Sequence, residues 1–319
     1  MNQLFADRMG KLQKSFIREI LKVTENQEVI SFAGGLPHPD FFPVKEIAAV
    51  TAELLQQEGS QILQYSTSEG YLPLREAIAA RYQQRHGSSV YGDEILIKFC
   101  TPQGLDLVGK VLLNQNDTVL LERPGYLGAI QAFSLYEPQF VSVPLDEDGV
   151  DLAAFDLGLQ QQPKIFYSVP NFQNPSGITY SATKRQHVAA LMQDQSTILV
   201  EDDPYGELRF MGEDLPPLRA IRPHNTVLLG SFSKIVAPGL RLGWLCAPKP
   251  LLEQLVIAKQ ASDLHSNYLA QRIVHRYLQR YDLDGHIQTI RAAYGRQRAL
   301  MVAMIEQYFS AEVHYTRPE

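Results

Sequence analysis

The chain has 319 residues, 45% of them hydrophobic and 20% charged, and a formal net charge of −6 at pH 7. This composition is typical of a soluble globular protein with room for two domains, and it provides no basic surface for nucleic acid or an anionic membrane. No apolar run approaches the length of a membrane span, and the first residues lack the apolar core of a secretion signal. The two cysteines and eight histidines fit no metal-ligand or disulfide pattern, so we expect no metal site and a reducing, cytoplasmic compartment.

The N-terminal part of the chain is predicted to consist of helices around one turn-rich loop. Residues 11–25 place apolar side chains at spacings of three and four, which predicts an amphipathic helix. The segment VISFAGGLPHPDFFP follows, and its two adjacent glycines would let the backbone approach a ligand, although a plain connector is an equal alternative. Helices are then predicted over residues 44–57 and from Pro73 to Gly87.

From Glu94 onward, short apolar strands alternate with helical stretches, which predicts a mainly parallel sheet with helices on both faces, a three-layer α/β/α fold. The predicted strands are ILIKF, TVLLE, FVSVPLD, KIFYSVP, TILVEDD and VLLG. Beyond Pro250 two long helical segments, LLEQLVIAKQASDLHSNYLAQRIVHRYLQR and GHIQTIRAAYGRQRALMVAMIEQYF, precede EVHYTRPE, which we predict to begin a strand of a small C-terminal α/β domain that is truncated. We divide the chain into an N-terminal helix and loop (1–43), a large cofactor-binding domain (44–250), and an interdomain helix with an incomplete small domain (251–319).

Four polar motifs follow predicted strands: residues 101–103, 171–177, 202–205 and 231–234. Ligands of parallel sheets bind beyond the carboxyl ends of the strands. Because none of the four has the spacing of a nucleotide-binding loop, their coincidence on one edge predicts a different kind of site.

The motif with the strongest chemical implication lies in VLLGSFSKIVAPGLRLGW, where Lys234 follows a buried strand. A lysine in that place is costly unless it is neutralised, paired or used covalently. It suits a Schiff base with an aldehyde cofactor, while Ser231, Ser233 and Arg241 hold a phosphate. A solvent-facing polar loop is the alternative interpretation.

Pyridoxal phosphate needs such an amine, a partner for its pyridine nitrogen, and groups for its ring. Asp202 is the candidate partner of the nitrogen, with a helix cap or an ion pair as alternatives. Asn174 and Tyr205 are candidates for hydrogen bonds to the ring hydroxyl, and Tyr126 for stacking on the ring, unless it is an ordinary buried aromatic residue. Lys234, once displaced, would move a proton from the substrate α-carbon.

The cofactor phosphate also needs donors, and Thr101, Pro102 and Gln103 lie at a predicted helix entrance, where free amide N–H groups bind anions. Pro102 has no N–H group, so it removes one such donor.

Together these motifs resemble the fold-type-I pyridoxal-phosphate aminotransferases of class I/II. The segments that carry the resemblance are SFAGGLPHPDFFP, LQYSTSEGYLPLREAI, ERPGYLGAIQAF, PNFQNPSG, VEDDPYGEL and GSFSKIVAPGLRLGW. The nearest branch is that of the 2-aminoadipate aminotransferases, which is related to the aminotransferase domain of MocR-type regulators. The resemblance implies a ping-pong transamination in which 2-aminoadipate, glutamate, leucine or an aromatic amino acid donates to a 2-oxo acid such as 2-oxoglutarate.

The resemblance also implies a homodimer with shared active sites, in which Tyr65 reaches the phosphate of the neighbouring protomer. Tyr65 by itself is equally compatible with a core or interface position. Arg18 would pair with an acidic substrate side chain, unless it is a solvated helix charge, and Gly35 and Asn174 would lie beside the substrate.

Two departures from the family pattern bear on activity. The family's phosphate loop reads Gly-Ser-Gln-Gln, where this chain has Cys100-Thr101-Pro102-Gln103, so we expect weaker cofactor affinity. The family continues beyond TRPE with a segment that carries the arginine for the substrate carboxylate. A chain that ends at Glu319 is therefore expected to transaminate poorly.

Three alternatives remain open at this point. Another fold-type-I lyase or decarboxylase would use the same lysine, aspartate and arginine. A non-catalytic sensor module is disfavoured because only about thirty residues precede SFAGGLP, too few for a helix-turn-helix domain. A truncated product that binds cofactor without turnover is the third. A nicotinamide dehydrogenase is unsupported, because no G-x-G-x-x-G follows a strand.

Overall fold

The computed structural model describes residues 4–11, 32 and 35–319. Apart from Lys11, the helix predicted over residues 11–25 lies outside the described residues, and so does Arg18.

The described residues form eight strands and ten α-helices, and short 3-10 turns lie between several of them. The strands are β1 (Ile95–Lys98), β2 (Thr118–Arg123), β3 (Gln139–Asp146), β4 (Gly149–Val150), β5 (Ile165–Ser168), β6 (Ile198–Asp202), β7 (Thr226–Ser231) and β8 (Gly243–Cys246). The helices are α1 (Val44–Glu58), α2 (Leu72–His86), α3 (Thr101–Leu112), α4 (Leu127–Ser134), α5 (Leu152–Leu159), α6 (Ala182–Leu191), α7 (Leu218–Ile221), α8 (Lys249–Gln260), α9 (Tyr268–Arg280) and α10 (Leu283–Tyr308).

All eight strands belong to one sheet with the order β1-β8-β7-β6-β5-β2-β3-β4. Neighbouring strands from β7 to β3 pair in parallel. Strand β8 is antiparallel to both β1 and β7, so β1 and β7 point the same way, and the short β4 is antiparallel to β3. The predicted mainly parallel sheet is confirmed, and six of its strands end at the same edge.

Helices cover both faces of the sheet. Successive side chains of a strand point to opposite faces, so a strand that is apolar throughout needs helices on both sides to bury it. In β7, Val227 and Leu229 pack in the core cluster that contains Leu105 of α3, whereas Leu228 packs in the cluster that contains Leu74 of α2 and Val274 of α9. A third cluster holds β2, β5 and β6 against α5 and α6. The three-layer α/β/α architecture is therefore the one expected from the sequence.

The C-terminal part differs from expectation in two places. The first predicted helical segment is divided into α8 and α9, because Asn267 accepts a hydrogen bond of 2.9 Å from the backbone N–H of Ala270 and starts a new helix. The strand predicted at EVHYTRPE is wrong, since residues 312–319 contain no strand. The segment is held by other contacts: Thr316 donates to the backbone oxygen of Ser176, and the Pro318 oxygen accepts from Arg298 Nε at 2.8 Å.

Candidate active site

The four polar motifs singled out in the sequence lie at one edge of the sheet. They follow β1, β5, β6 and β7, whose carboxyl ends point the same way. Two of the loops are joined directly, because Asn171 donates to the Asp203 carboxylate at 2.9 Å. The sheet thus builds one site from segments that are far apart in the chain.

Asp202 ends β6 and is buried, with 2% of its surface exposed. Its Oδ2 accepts a hydrogen bond of 2.8 Å from the hydroxyl of Tyr167 on β5, whereas its Oδ1 is buried without a hydrogen-bond partner among the described residues. Burial raises the pKa of the Asp202 carboxyl to about 6, although the Tyr167 hydrogen bond and the charge of Lys98 oppose the shift. A buried carboxylate oxygen without a partner costs free energy, which a hydrogen-bond donor or a cation beside it would offset.

Lys234 lies just beyond β7 and contacts two other predicted site residues. Its Nζ donates a hydrogen bond of 2.9 Å to the backbone oxygen of Gly35 and lies 5.8 Å from the centroid of the Tyr205 ring. Gly35 can form this turn because its φ of +55° lies in the left-handed region that glycine tolerates. Burial lowers the pKa of the Lys234 amine, which increases the neutral fraction available as a nucleophile or a base.

Tyr205 and Asn174 lie together, since the Asn174 side chain hydrogen-bonds the Tyr205 hydroxyl. Burial raises the pKa of that hydroxyl, so it stays a hydrogen-bond donor at neutral pH. Tyr126 immediately precedes α4 and, like Tyr205, packs against the core cluster that contains Leu105. Tyr205 also lies close enough to Asp202 for the carboxylate charge to contribute to the raised pKa of its hydroxyl.

Of the residues predicted to bind the phosphate, Thr101, Pro102 and Gln103 open α3, and Arg241 lies close to the start of that helix. The Arg241 guanidinium lies 5.1 Å from the centroid of the Phe99 ring, just ahead of the helix. The Ser233 N–H donates to Ser231 Oγ at 3.1 Å. Helix α3 begins at Thr101, and its first amide groups lack helical partners. The Arg241 guanidinium and the free amide groups at the start of α3 are both suited to bind an anion.

Two of the predicted phosphate ligands are constrained. Pro102 occupies the second position of α3, is exposed, and offers no N–H. The side chain of Gln103 is occupied on both sides, because Oε1 accepts from the Phe99 N–H at 2.7 Å and Nε2 donates to Asp263 Oδ2 at 2.7 Å. The Gln103 side chain is therefore tied to Phe99 and Asp263, and its backbone N–H is the group that we assign to a phosphate.

Tyr65 lies apart from these groups. Its side chain is 78% exposed, and its ring packs edge-on against His265 with centroids 5.7 Å apart. No contact within the described residues joins it to Lys234 or Asp202.

Two residues of the site were missed in the sequence. Tyr167 carries no signal, because an aromatic residue inside the buried strand IFYS is an ordinary core residue. Lys98 does carry a sequence signal, because it ends the buried strand ILIK and is itself fully buried. Lys234 has a similar place, just after the buried strand that ends at Ser231. The rule that a lysine at the end of a buried strand needs a partner applies equally to both.

A family model describes residues 28–317 of the chain as aminotransferase class I and II. The chain belongs to this family. The aromatic-amino-acid aminotransferase 1 of Thermococcus litoralis is 40% identical, over 99% of this chain and 77% of that protein. The 2-aminoadipate transaminase of Thermus thermophilus is 39% identical, over 100% of this chain and 80% of that protein.

Solved structures agree with this assignment. The kynurenine aminotransferase of Pyrococcus horikoshii, solved with pyridoxamine phosphate, superposes with a TM-score of 0.94 at 37% identity, over 100% of this chain and 80% of that one. The alpha-aminoadipate aminotransferase of Thermus thermophilus, complexed with a phosphopyridoxyl-leucine compound, gives a TM-score of 0.92 at 38% identity, over 99% and 80% of the two chains. The aminotransferase fold expected from the sequence is confirmed.

Pyridoxal phosphate is the cofactor of this aminotransferase, and the residues present fit it. The orphaned Oδ1 of Asp202 suits a protonated pyridine nitrogen, and the region around Arg241 and the start of α3 suits a phosphate. Among the described residues, no cluster of acidic, histidine or cysteine side chains is arranged to hold a metal ion. In the same part of the chain, no helix combines the length and apolarity needed to cross a membrane.

Proposed function

We propose that this aminotransferase moves the amino group of 2-aminoadipate, glutamate, leucine or an aromatic amino acid to a 2-oxo acid such as 2-oxoglutarate. The single observation that supports the chemistry best is the combination of a low-pKa Lys234 amine with the open, buried Oδ1 of Asp202 on one sheet edge. The names of the relatives, an aromatic-amino-acid aminotransferase and a 2-aminoadipate transaminase, support this range of donors.

Bound pyridoxal phosphate supplies an aldehyde carbon that bonds to amines and a pyridine ring that draws electrons from the substrate α-carbon. Lys234 would hold the cofactor through Nζ and, as a free amine, would take the proton from the substrate α-carbon. Its lowered pKa keeps a larger share of the amine neutral near pH 7, which is the form that accepts a proton.

The other site residues hold the cofactor in place. Asp202 keeps a proton on the pyridine nitrogen, because an ionised carboxylate favours the cationic partner. Tyr205 and Asn174 would hold the ring hydroxyl, and Tyr126 would pack on the ring. The phosphate is held by Ser231, Ser233, Arg241, Thr101 and the backbone of Gln103, with Pro102 beside them contributing no donor.

For the substrate we assign Gly35, Asn174 and Arg18. The hydrogen bond between the Gly35 oxygen and Lys234 Nζ supports a position of this turn beside the reacting amine. Arg18 lies outside the described residues, and its pairing with an acidic side chain of the substrate is a proposal from the family resemblance.

We further propose a cytoplasmic homodimer in which Tyr65 contributes to the neighbour's site. The 78% exposure of Tyr65 and the 65% exposure of Leu63 in the same segment support an interface there, because adjacent large apolar side chains are seldom left in water. The division into residues 1–43, 44–250 and 251–319 is retained as a proposal.

The test is a coupled assay of 2-oxoglutarate-dependent transamination with a panel of amino acids. Wild type should convert 2-aminoadipate or an aromatic amino acid, and Lys234→Ala should lose turnover while Lys249→Ala, a surface lysine paired with Asp93, keeps it. Retention of wild-type turnover by Lys234→Ala would rule out the proposed mechanism.

A further inference from the structure

Lys98 is a fully buried lysine with few partners. It ends β1, has 0% of its surface exposed, and belongs to no ion pair within 4.0 Å among the described residues. Within the same part of the chain its Nζ makes one hydrogen bond, to the backbone oxygen of Gly230 at 3.3 Å. An ammonium group has three donors, so most of its capacity is unused. Burying an ammonium group with one hydrogen bond costs free energy, and the contacts of Lys98 in the fold do not offset that cost.

The register of the sheet places Lys98 on the face that carries the cofactor site. Lys98 pairs with Gly243 on β8, and Gly243 pairs with Ser231 on β7, so the three residues form one row across the sheet. Directly paired residues share a face, and Gly243 has no side chain to block the lysine. The Lys98 stem therefore runs along the sheet towards Ser231, one of the proposed phosphate ligands.

Two glycines leave room for this side chain. A Cβ at Gly104 of α3 would lie 2.8 Å from Lys98 Cδ, and a Cβ at Gly243 would lie 2.9 Å from Lys98 Nζ. Gly104 belongs to the first turn of α3, so the lysine stem passes under the helix N-terminus. A larger side chain at either glycine would displace the amine.

The charged groups around Lys98 also belong to the cofactor site. The groups that interact with its ammonium electrostatically are Asp202 on β6, Cys100 just before α3 and Arg241 beyond β7. Burial lowers the pKa of the Lys98 amine to about 8, and the negative charge of Asp202 partly restores it. A bound phosphate, with a charge of about −1.5 to −2, would favour the charged amine further.

We propose that Lys98 is a second cation of the cofactor site, whose buried ammonium attracts the cofactor phosphate and offsets the donor that Pro102 lacks. This inference rests on the proposed function, because it assigns a further residue to the same site. Lys98 would bind the cofactor without reacting with it: the amine that reacts is Lys234.

The decisive comparison is between pyridoxal phosphate and pyridoxal, which differ only in the phosphate. Dissociation constants of both are measured by equilibrium dialysis for wild type and for Lys98→Met, which keeps an unbranched stem without the charge. The preference for the phosphorylated ligand should fall ~10-fold or more in the variant, as expected for a lost bond to a charged group. Lys110→Met removes a lysine of α3 that is partly exposed and paired with Asp106, and should leave the preference unchanged.

A second measurement covers the case in which Lys98→Met does not fold. In wild type, the preference for pyridoxal phosphate over pyridoxal should fall as the pH rises from about 7 to about 10, because deprotonation removes the Lys98 charge while the phosphate stays ionised. Lys234 reacts with both aldehydes, so any effect of its protonation cancels in the ratio. An unchanged preference in folded Lys98→Met, or a flat preference across this pH range, would overturn the role of Lys98. Failure of wild type to bind pyridoxal phosphate at all would instead overturn the proposed function.

Discussion

The Tyr167 hydroxyl donates a hydrogen bond of 2.8 Å to Oδ2 of Asp202, deep beneath the carboxyl edge of the sheet. This bond orients the carboxylate so that its other oxygen, Oδ1, faces no partner among the described residues. Two neighbouring parallel strands thereby hold one carboxylate in a fixed orientation with one oxygen open, which is the arrangement that a protonated ring nitrogen requires.

Removal of the Asp202 charge should impair the reaction more than the fold. Asp202→Asn is expected to lower kcat by ~100-fold or more, because the ring nitrogen loses the anion that keeps it protonated. Steady-state kinetics under saturating cofactor measure this effect. Asp93→Asn, at a surface ion pair with Lys249, is the matched control and should retain activity. Equal kcat values for wild type and Asp202→Asn would contradict the assignment of Asp202.

The same substitution should have the opposite effect on the cofactor-free protein. Burial raises the pKa of Asp202 from 3.8 to about 6, so its ionised form destabilises the folded state above the folded pKa, and the penalty disappears as the pH falls below the unfolded pKa. Cofactor-free Asp202→Asn should therefore be more stable than wild type at pH 7, by up to about 3 kcal/mol. The difference should shrink towards pH 4. Urea unfolding at both pH values measures it, and a difference that grows on acidification would contradict the account.

Loss of the Tyr167 hydroxyl tests the orientation of Asp202. Tyr167→Phe keeps the ring in the core but removes the hydrogen bond to Oδ2, so the pKa of Asp202 should rise further. We expect the acidic limb of the pH profile of kcat/KM to move to higher pH, with an activity loss of ~10-fold near neutral pH. Tyr136→Phe, which removes a hydroxyl bonded to Asp106 on α3, is a control of similar size. A pH profile that does not move in Tyr167→Phe would show that the bond does not control Asp202.

Pro102 is expected to limit cofactor affinity. Both Pro102→Ala and Pro102→Gln restore an N–H at the second position of α3, and because Pro102 is exposed neither should disturb packing. The dissociation constant of pyridoxal phosphate should fall ~10-fold in both, since a hydrogen bond to a charged group is usually worth about 1.5–3 kcal/mol. Agreement between the two variants would assign the gain to the backbone rather than to the new side chain. An unchanged dissociation constant in both would refute the prediction.

Tyr65 allows a test of shared active sites. Lys234→Ala should be inactive, and Tyr65→Ala should bind cofactor weakly, but a mixed dimer would contain one site with both residues intact. Refolding the two variants together should therefore restore more activity than the sum of the separate proteins. No gain on mixing, with sedimentation showing that dimers form, would place Tyr65 outside the neighbour's site.

Much of the fold could be predicted because its signals are local. The apolar runs that precede Asp202 and Ser231 are short, β-branched or leucine-rich, and bounded by polar loops, and both became buried parallel strands. Strand β8 escaped prediction, because Gly243 to Cys246 is too short and too similar to a loop to be separated from the motif around it. The break between α8 and α9 was missed, although Asn267 carries a recognisable cap signal.

The site was predictable in its positions but not in its partners. Parallel strands bring their carboxyl ends together, so motifs at strand ends could be grouped without knowing the strand order. Hydrogen bonds between strands depend on register, which periodicity does not specify: Tyr167 reaches Asp202 only because β5 and β6 pair in parallel. The side chain of Gln103 could not be placed from the sequence either. It donates a hydrogen bond to Asp263, which is 160 residues away in the chain and which no local pattern connects to Gln103.

If Lys234 and Asp202 form a working transamination site, the visible absorbance spectrum of the purified chain should reveal it. After addition of pyridoxal phosphate, we expect a cofactor band that disappears with 2-aminoadipate or an aromatic amino acid and returns with 2-oxoglutarate. In Lys234→Ala the protein-bound band of wild type should be missing. A folded wild-type protein that acquires no band, or a band that no amino acid changes, would contradict the account.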